Sequence, residues 1–464
     1  MGRKTLNFGN SVKTISKEID LRSLKTKRKD SDRLSLDDIK IDNNFIVYTH
    51  SKSQNCINCM GRTLLCGKSH CPIITQFSRF KPLQKDFSSK VLFGSSPPSV
   101  FIGRNGFPNV FVGPMVPPSI GDTAIMDETE LWWNMDLTNI IDMRMNLVRC
   151  KSSLNIYSAK ESNRRKYSNK NLDNIQEIGL ANNSIEMEVK FSKLPKKNII
   201  LDADIQPMGP SAPIRKIKIT SNSTDQKLQK IADDTDLNAN SAIINLKNNN
   251  SSQTSITRAF SAGLMGLGKN RRLVPTRWAI TAVDSSLGLH YWKKIIHFPI
   301  ISEYRVYESN YLDNKFVIIM MPGEWGYELI EAFFPGSCWN PGEKIAMGND
   351  WEGLKGRKTY SRIGGCYYAA RNMIGEYLHQ NRRQAKVVIL RETYPNFTMP
   401  LGVWFTRECV RNALEQPYLK FDTSNEVIQF VDQKMKIPAS YWIDTSGVLK
   451  KSKEISQKSI YRYL

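Results

Sequence analysis

Four cysteines fall within sixteen residues, Cys56, Cys59, Cys66 and Cys71. The C-x2-C spacing of the first pair turns two thiolates toward one centre, and Gly61 and Gly67 allow the backbone to close around it. Four thiolates complete the tetrahedral shell that Zn(2+) prefers and leave no position for water, so the expected metal is structural. His70, beside Cys71, reads as a bystander or an outer-shell group. The other cysteines, Cys150, Cys338, Cys366 and Cys409, stand apart in apolar or mixed surroundings. Isolated cysteines of this kind are usually buried free thiols, which suits a reducing compartment.

Further along, polar residues interrupt apolar strings in a way that suggests a site built on a rigid scaffold. Arg104 precedes Asn105-Gly106 between the triplets Val100–Ile102 and Val110–Val112, which read as a hairpin with Arg104 at its tip. Arg277 and Trp278 follow Lys269, Arg271 and Arg272. This run suits either a nucleic-acid backbone with an unstacked base or a buried strand whose arginine meets an internal carboxylate. Asp284 ends that string. Glu324 and Glu328, four apart, would share one face of a helix over Glu324–Phe334. Arg371 lies in the helix opened by Gly364-Gly365. If the core is catalytic, Arg104, Arg277, Asp284, Glu324 and Arg371 are the residues expected to converge on its pocket. Gly263 to Lys269 approaches a P-loop, but Asn270 stands where the magnesium-binding Ser or Thr belongs and a helical segment precedes it, so the string reads as a helix C-terminus broken by glycines rather than a nucleotide-hydrolysis site.

At the C-terminus, Gln457, Ile460, Tyr463 and Leu464 follow a Lys-rich spacer. This spacing places an amide, an aliphatic and an aromatic anchor along one side of a short helical turn. It resembles the peptide by which replication and repair proteins dock on a PCNA sliding clamp.

The elements that must position these groups are those of an α+β protein, with a mixed sheet core, surrounding helices, a small N-terminal zinc module and disordered tails. Strands are expected at Ile185–Phe191, Trp278–Val283, Lys315–Met320 and Ala385–Leu390. Helices are expected over 125–160, over 225–268 in two pieces broken at Asn248–Ser252, and over Tyr367–His379, with no regular βαβ rhythm. The organisation reads as a basic disordered arm at 1–45, the four-cysteine module at 46–75, two parts of one core at 76–255 and 256–445, and a flexible tail at 446–464. The chain of 464 residues carries 66 Lys and Arg against 44 Asp and Glu, a net charge of +22 that favours a polyanionic partner such as DNA. No apolar run approaches the ~18 residues of a membrane helix.

Several strings taken together resemble one family. They are Pro98–Arg104 with Val112-Gly113-Pro114, Pro207–Pro213, Asp234–Leu237, Leu273–Trp278 with Ile280–Asp284, and Gly364–Arg371. In this order, from the cysteine cluster to about residue 420, they are similar to the archaeal Nre family of DNA repair proteins. The resemblance implies a repair factor of the archaeal cytoplasm, associated with the nucleoid, and agrees with an N-terminal zinc cluster and a C-terminal clamp peptide. It supplies no catalytic mechanism. Two readings remain: a repair factor recruited to DNA through the clamp, and an enzyme acting on DNA or a nucleotide-like substrate.

Overall fold

The computed structural model describes residues 87–160, 169–196, 205–220, 223–340 and 342–450. The basic arm, the four clustered cysteines and the clamp-like peptide lie outside the described residues. Within them the expected α+β class holds, as two six-stranded mixed sheets with helices packed around them.

The first sheet runs β1 (Val91–Ser96), β5 (Ile185–Phe191), β6 (Ser211–Ile219), β4 (Val148–Asn155), β3 (Asn109–Val116), β2 (Val100–Ile102), with β4 and β6 parallel and the other pairs antiparallel. The β2–β3 hairpin forms where expected, with Ile102 opposite Val112 and Val100 opposite Pro114. Gly113 is required there because a Cβ would sit 1.8 Å from the Cys150 carbonyl oxygen. The 125–160 segment is not one helix. It divides into α1 (Leu137–Asn146) and β4, separated by Leu147. Then come α2 (Lys170–Leu180), α3 (Gln226–Asp233), α4 (Ala239–Asn248) and α5 (Gln253–Ser261). The break after Asn248 falls where the Asn/Ser tract predicts it, with Asn250 at φ +58°, and a second break at Asp234–Asn238 divides the first expected piece.

The second sheet runs β10 (Ala346–Glu352), β9 (Gly326–Phe333), β11 (Lys386–Thr393), β8 (Asn314–Met321), β7 (Tyr304–Tyr311), β12 (Leu419–Phe421), with only β9 and β11 parallel. It is a central layer. Ile318, Leu329 and Ile389 face a core shared with α6 (Thr276–Ile295), α7 (Gly365–Gln380) and α8 (Val403–Glu415). Val317, Ile330 and Val388 face a second core closed by α9 (Ser424–Lys434) and α10 (Ala439–Thr445). Strands covered on both faces read as continuous apolar runs rather than alternating ones.

Two expected elements are of the other kind. Trp278–Val283 is helical, the opening of the 20-residue α6, whose buried Ala279, Val283, Leu287, Tyr291 and Ile295 recur at helical spacing. Glu324–Phe334 is the strand β9 rather than a helix, so Glu324 and Glu328 share no helix face. Glu324 is exposed in the preceding loop. Glu328 is fully buried on β9 and accepts hydrogen bonds from Ser446, Asn349 and the amides of Gly447 and Val448.

Candidate functional site: an arginine-lined cleft

Between the first sheet and the helices α5, α6 and α8 lies a cavity of about 70 Å³, larger than the ~10–15 Å³ one ordered water needs. The expected strings supply part of its wall: Val100 and Phe101 from β2, Met208 from the Pro207–Pro213 loop, and Thr276 and Ile280 from α6. Three buried arginines, Arg144, Arg258 and Arg407, supply the charge.

Each arginine also holds the fold. Arg144, on the buried face of α1 one turn after Ile140, donates Nη1 to Asp127 Oδ1 at 2.5 Å and Nε to the Pro207 carbonyl at 3.2 Å. That second bond fixes the loop whose Gly209 packs so closely that a Cβ would lie 2.7 Å from the Met145 carbonyl. Arg407 on α8 makes a two-pronged contact with Asp284 of α6, Nε to Oδ1 at 3.1 Å and Nη2 to Oδ2 at 2.5 Å. Burial opposes that charge, while Asp284 beside it holds the guanidinium protonated and raises its pKa. Arg258 on α5 donates to the Gly179 and Ala181 carbonyls at 3.2 and 2.8 Å, at the negative end of the α2 dipole. Burial pulls it down to about 10 despite Asp127, Glu128, Asp225 and Glu130 nearby. Glu130 lies at the other end of α5, accepting from Thr254 N at 2.9 Å and Thr254 Oγ1 at 2.7 Å. Burial would raise that carboxyl, but these donors hold it below its ordinary range.

Trp404 closes one wall. It is 3 % exposed and stacks edge-on against Trp132 at 4.9 Å, and its indole N–H has no partner among the described residues. A cleft lined by guanidiniums is chemically suited to a small anion or to a ligand rich in acceptors.

The five sequence candidates are distributed over three places. Arg104 in the hairpin turn and Arg277 at the start of α6 lie on one surface, where Phe107 and Trp278 touch with ring centroids 5.4 Å apart. Asp284 and Arg371 lie inside the α6–α7 packing. Besides Arg407, Asp284 accepts from Gln253 at 2.5 Å and Asn372 at 3.0 Å, and Arg371 is bound by Glu352 of β10 through Nε at 2.8 Å and Nη2 at 2.7 Å. Glu324 stands elsewhere, in its exposed loop. None of the five lines the cleft; Asp284 reaches it through Arg407.

Arg144, Arg258 and Arg407 were not among those candidates. Their signal is an arginine at a core-facing helical position: Ile140 and Arg144, or Val403, Arg407 and Val410, recur with the helical period. Without the tertiary structure such an arginine cannot be told from one reaching out of a half-buried face to solvent.

The fold and the cleft define an α+β protein of two mixed sheets, with buried arginines lining a cleft between the first sheet and the helices packed beside it. The chain belongs to the archaeal Nre family: the family model described as "Archaeal Nre, N-terminal" matches residues 65–340 and "Archaeal Nre, C-terminal" matches 352–463. It is 36 % identical to DNA repair protein NreB of Archaeoglobus fulgidus over 88 % of this chain and 100 % of that protein. It is 33 % identical to DNA repair protein NreA of the same organism, over 83 % and 94 %. With DNA repair protein NreA of Haloferax volcanii it shares 30 % identity over 75 % and 83 %. No solved structure matches the chain significantly. No helix among the described residues is long and apolar enough to cross a membrane.

Proposed function

We propose that this chain is a DNA repair protein brought to DNA by a PCNA-type sliding clamp. The observation that carries the reading is its similarity, along the whole of the relative's length, to a protein named for DNA repair. The net charge of +22 supports contact with DNA, and such contact would place the protein in the cytoplasm with the nucleoid. Gln457, Ile460, Tyr463 and Leu464 form the clamp-binding peptide. Docking through so short a peptide tethers the protein, which raises local concentration without strong intrinsic affinity. Cys56, Cys59, Cys66 and Cys71 hold one structural zinc ion. The donor set fits a closed thiolate shell, and the segment between them carries only Arg62 and Lys68 as cations, so the module buttresses the core more than it contacts DNA.

The repair role is tested by deleting the gene and measuring survival after DNA damage; survival equal to the parent strain would sink it. Recruitment is tested by calorimetry with the purified clamp. Ile460→Ala together with Tyr463→Ala abolishes binding if the peptide is the anchor, and unchanged affinity refutes the assignment.

The Arg258 and Arg407 side chains that line the cleft favour a second reading, a nucleotide-like ligand that seats a phosphate there, on which an enzymatic activity would rest. Millimolar nucleotide or pyrophosphate then raises the melting temperature of the wild type, and Arg258→Met, which keeps the aliphatic stem but removes the guanidinium, diminishes the shift. No shift with either ligand discards this reading.

A further inference from the structure

The hairpin tip, the turn after β4 and the entrance to α6 form one surface. Backbone hydrogen bonds join them: Ile156 N to the Pro108 carbonyl at 2.9 Å and Leu273 N to the Ile156 carbonyl at 2.9 Å. Thr276 Oγ1 also accepts from Ile102 N at 3.0 Å. The three segments 100–112, 148–160 and 268–283 contain eight Lys and Arg and no Asp or Glu. Arg149 and Arg271 are buried, and Arg271 is spent on the Gly266, Ala232 and Asp234 carbonyls. Arg104, Lys269 and Arg272 are exposed. Among these cations sit large apolar rings that a folded protein ordinarily hides. Phe107 is 48 % and Trp278 45 % exposed, in contact with each other, and Phe111 is 51 % exposed with the Lys151 ammonium 5.9 Å from its centre.

From this juxtaposition we propose that the surface around Trp278 and Phe107 binds single-stranded DNA, with unpaired bases stacking on the rings and Arg104, Lys269 and Arg272 meeting the phosphates. Duplex DNA presents phosphates but keeps its base faces stacked, so cations alone would suffice for it; the exposed rings are explained by a strand whose bases are free. The exposed Arg104, Lys269 and Arg272 supply the charge complementarity, and Asp284, which follows the third segment, is buried and paired with Arg407. This inference rests on the repair reading and specifies which form of DNA the protein holds and where.

Fluorescence anisotropy with a labelled 12-nucleotide oligo(dT), on the full chain, tests it. Trp278→Ala and Phe107→Ala each weaken binding about 5- to 160-fold, as loss of a base-stacking ring does, while Trp278→Phe retains most of the affinity. Arg104→Ala with Arg272→Ala lowers the slope of log affinity against log salt by roughly 0.7 for each phosphate no longer neutralised. Because both rings are about half exposed, melting curves of the variants stay with the wild type and show that the fold is kept. The proposal is overturned if the double aromatic variant binds oligo(dT) within two-fold of wild type, if a duplex of the same length binds as tightly as the single strand, or if oligo(U) binds more tightly than oligo(dT). Any of these outcomes removes the surface assignment and leaves the repair role to stand on the survival of the deletion strain.

Discussion

Replacing Arg407 with methionine keeps most of the aliphatic stem and removes the guanidinium that grips both oxygens of Asp284. Asp284 is 0 % and Arg407 6 % exposed at the side chain, so water cannot take over. Removing one partner of a buried ion pair costs ~3–5 kcal/mol, because the remaining charge is left uncompensated. Here the carboxylate keeps the Gln253 and Asn372 amides on Oδ1, and hydrogen bonds to a charged group are worth ~1.5–3 kcal/mol each. The expected loss therefore lies near the lower end, about 3 kcal/mol, read from urea denaturation. Asp284→Asn in the same background removes the stranded charge while its carbonyl still accepts from Gln253 and Asn372. The double variant is expected to regain about 1–2 kcal/mol relative to the sum of the single changes. An Arg407→Met protein within about 1 kcal/mol of wild type, or a double variant whose losses simply add, would refute the idea that this pair fastens α6 to α8.

Three further outcomes follow from other parts of the chain. Gly113→Ala drives a methyl into the Cys150 carbonyl; the β3–β4 pairing must open, costing about 3 kcal/mol or more, and soluble expression with a low melting temperature reports it. Burial would raise the Asp350 carboxyl, but the Arg357 guanidinium and the Arg362 amide that donate to it hold it below its ordinary value. A carboxyl depressed in the folded state stabilises above its unfolded pKa and loses that contribution as pH falls through the folded value. Asp350→Asn should thus lower stability at pH 7 and flatten the decline below about pH 4, seen in melting curves across pH. Finally, chelation of the zinc-loaded protein should make four additional thiols reactive toward a thiol reagent, those of Cys56, Cys59, Cys66 and Cys71; no increase would contradict the zinc assignment.

The errors in reading the elements have definite causes. Trp278–Val283 is dense in β-branched and aromatic residues, which favours a strand over six residues, but the periodicity that makes α6 a helix continues to Ile295, beyond so short a window. The i, i+4 spacing of Glu324 and Glu328 suits a helix, yet Glu324 precedes β9, a central strand buried on both faces. Its Glu331 is tolerated because Arg391, directly opposite on β11, donates to it at 2.6 Å. Neither partner can be recognised from its own neighbours in sequence. The β2–β3 hairpin and the break after Asn248 were legible because turn chemistry is local: Asn-Gly and Asn/Ser tracts act over a few residues.

By itself the sequence determined the α+β class, the family through its unusual strings, the excess of positive charge, and the thiolate set whose chemistry points to zinc. What only the tertiary structure decided is which charges meet. The strings at Val100, Met208 and Thr276 share one cleft, the arginines that charge it come from helices with no distinguishing motif, and Asp284 and Arg371 are held by partners 123 and 19 residues away along the chain. The physical reason is that the energy of a buried charge depends on what surrounds it after folding, and that neighbourhood is assembled from segments that no local pattern connects.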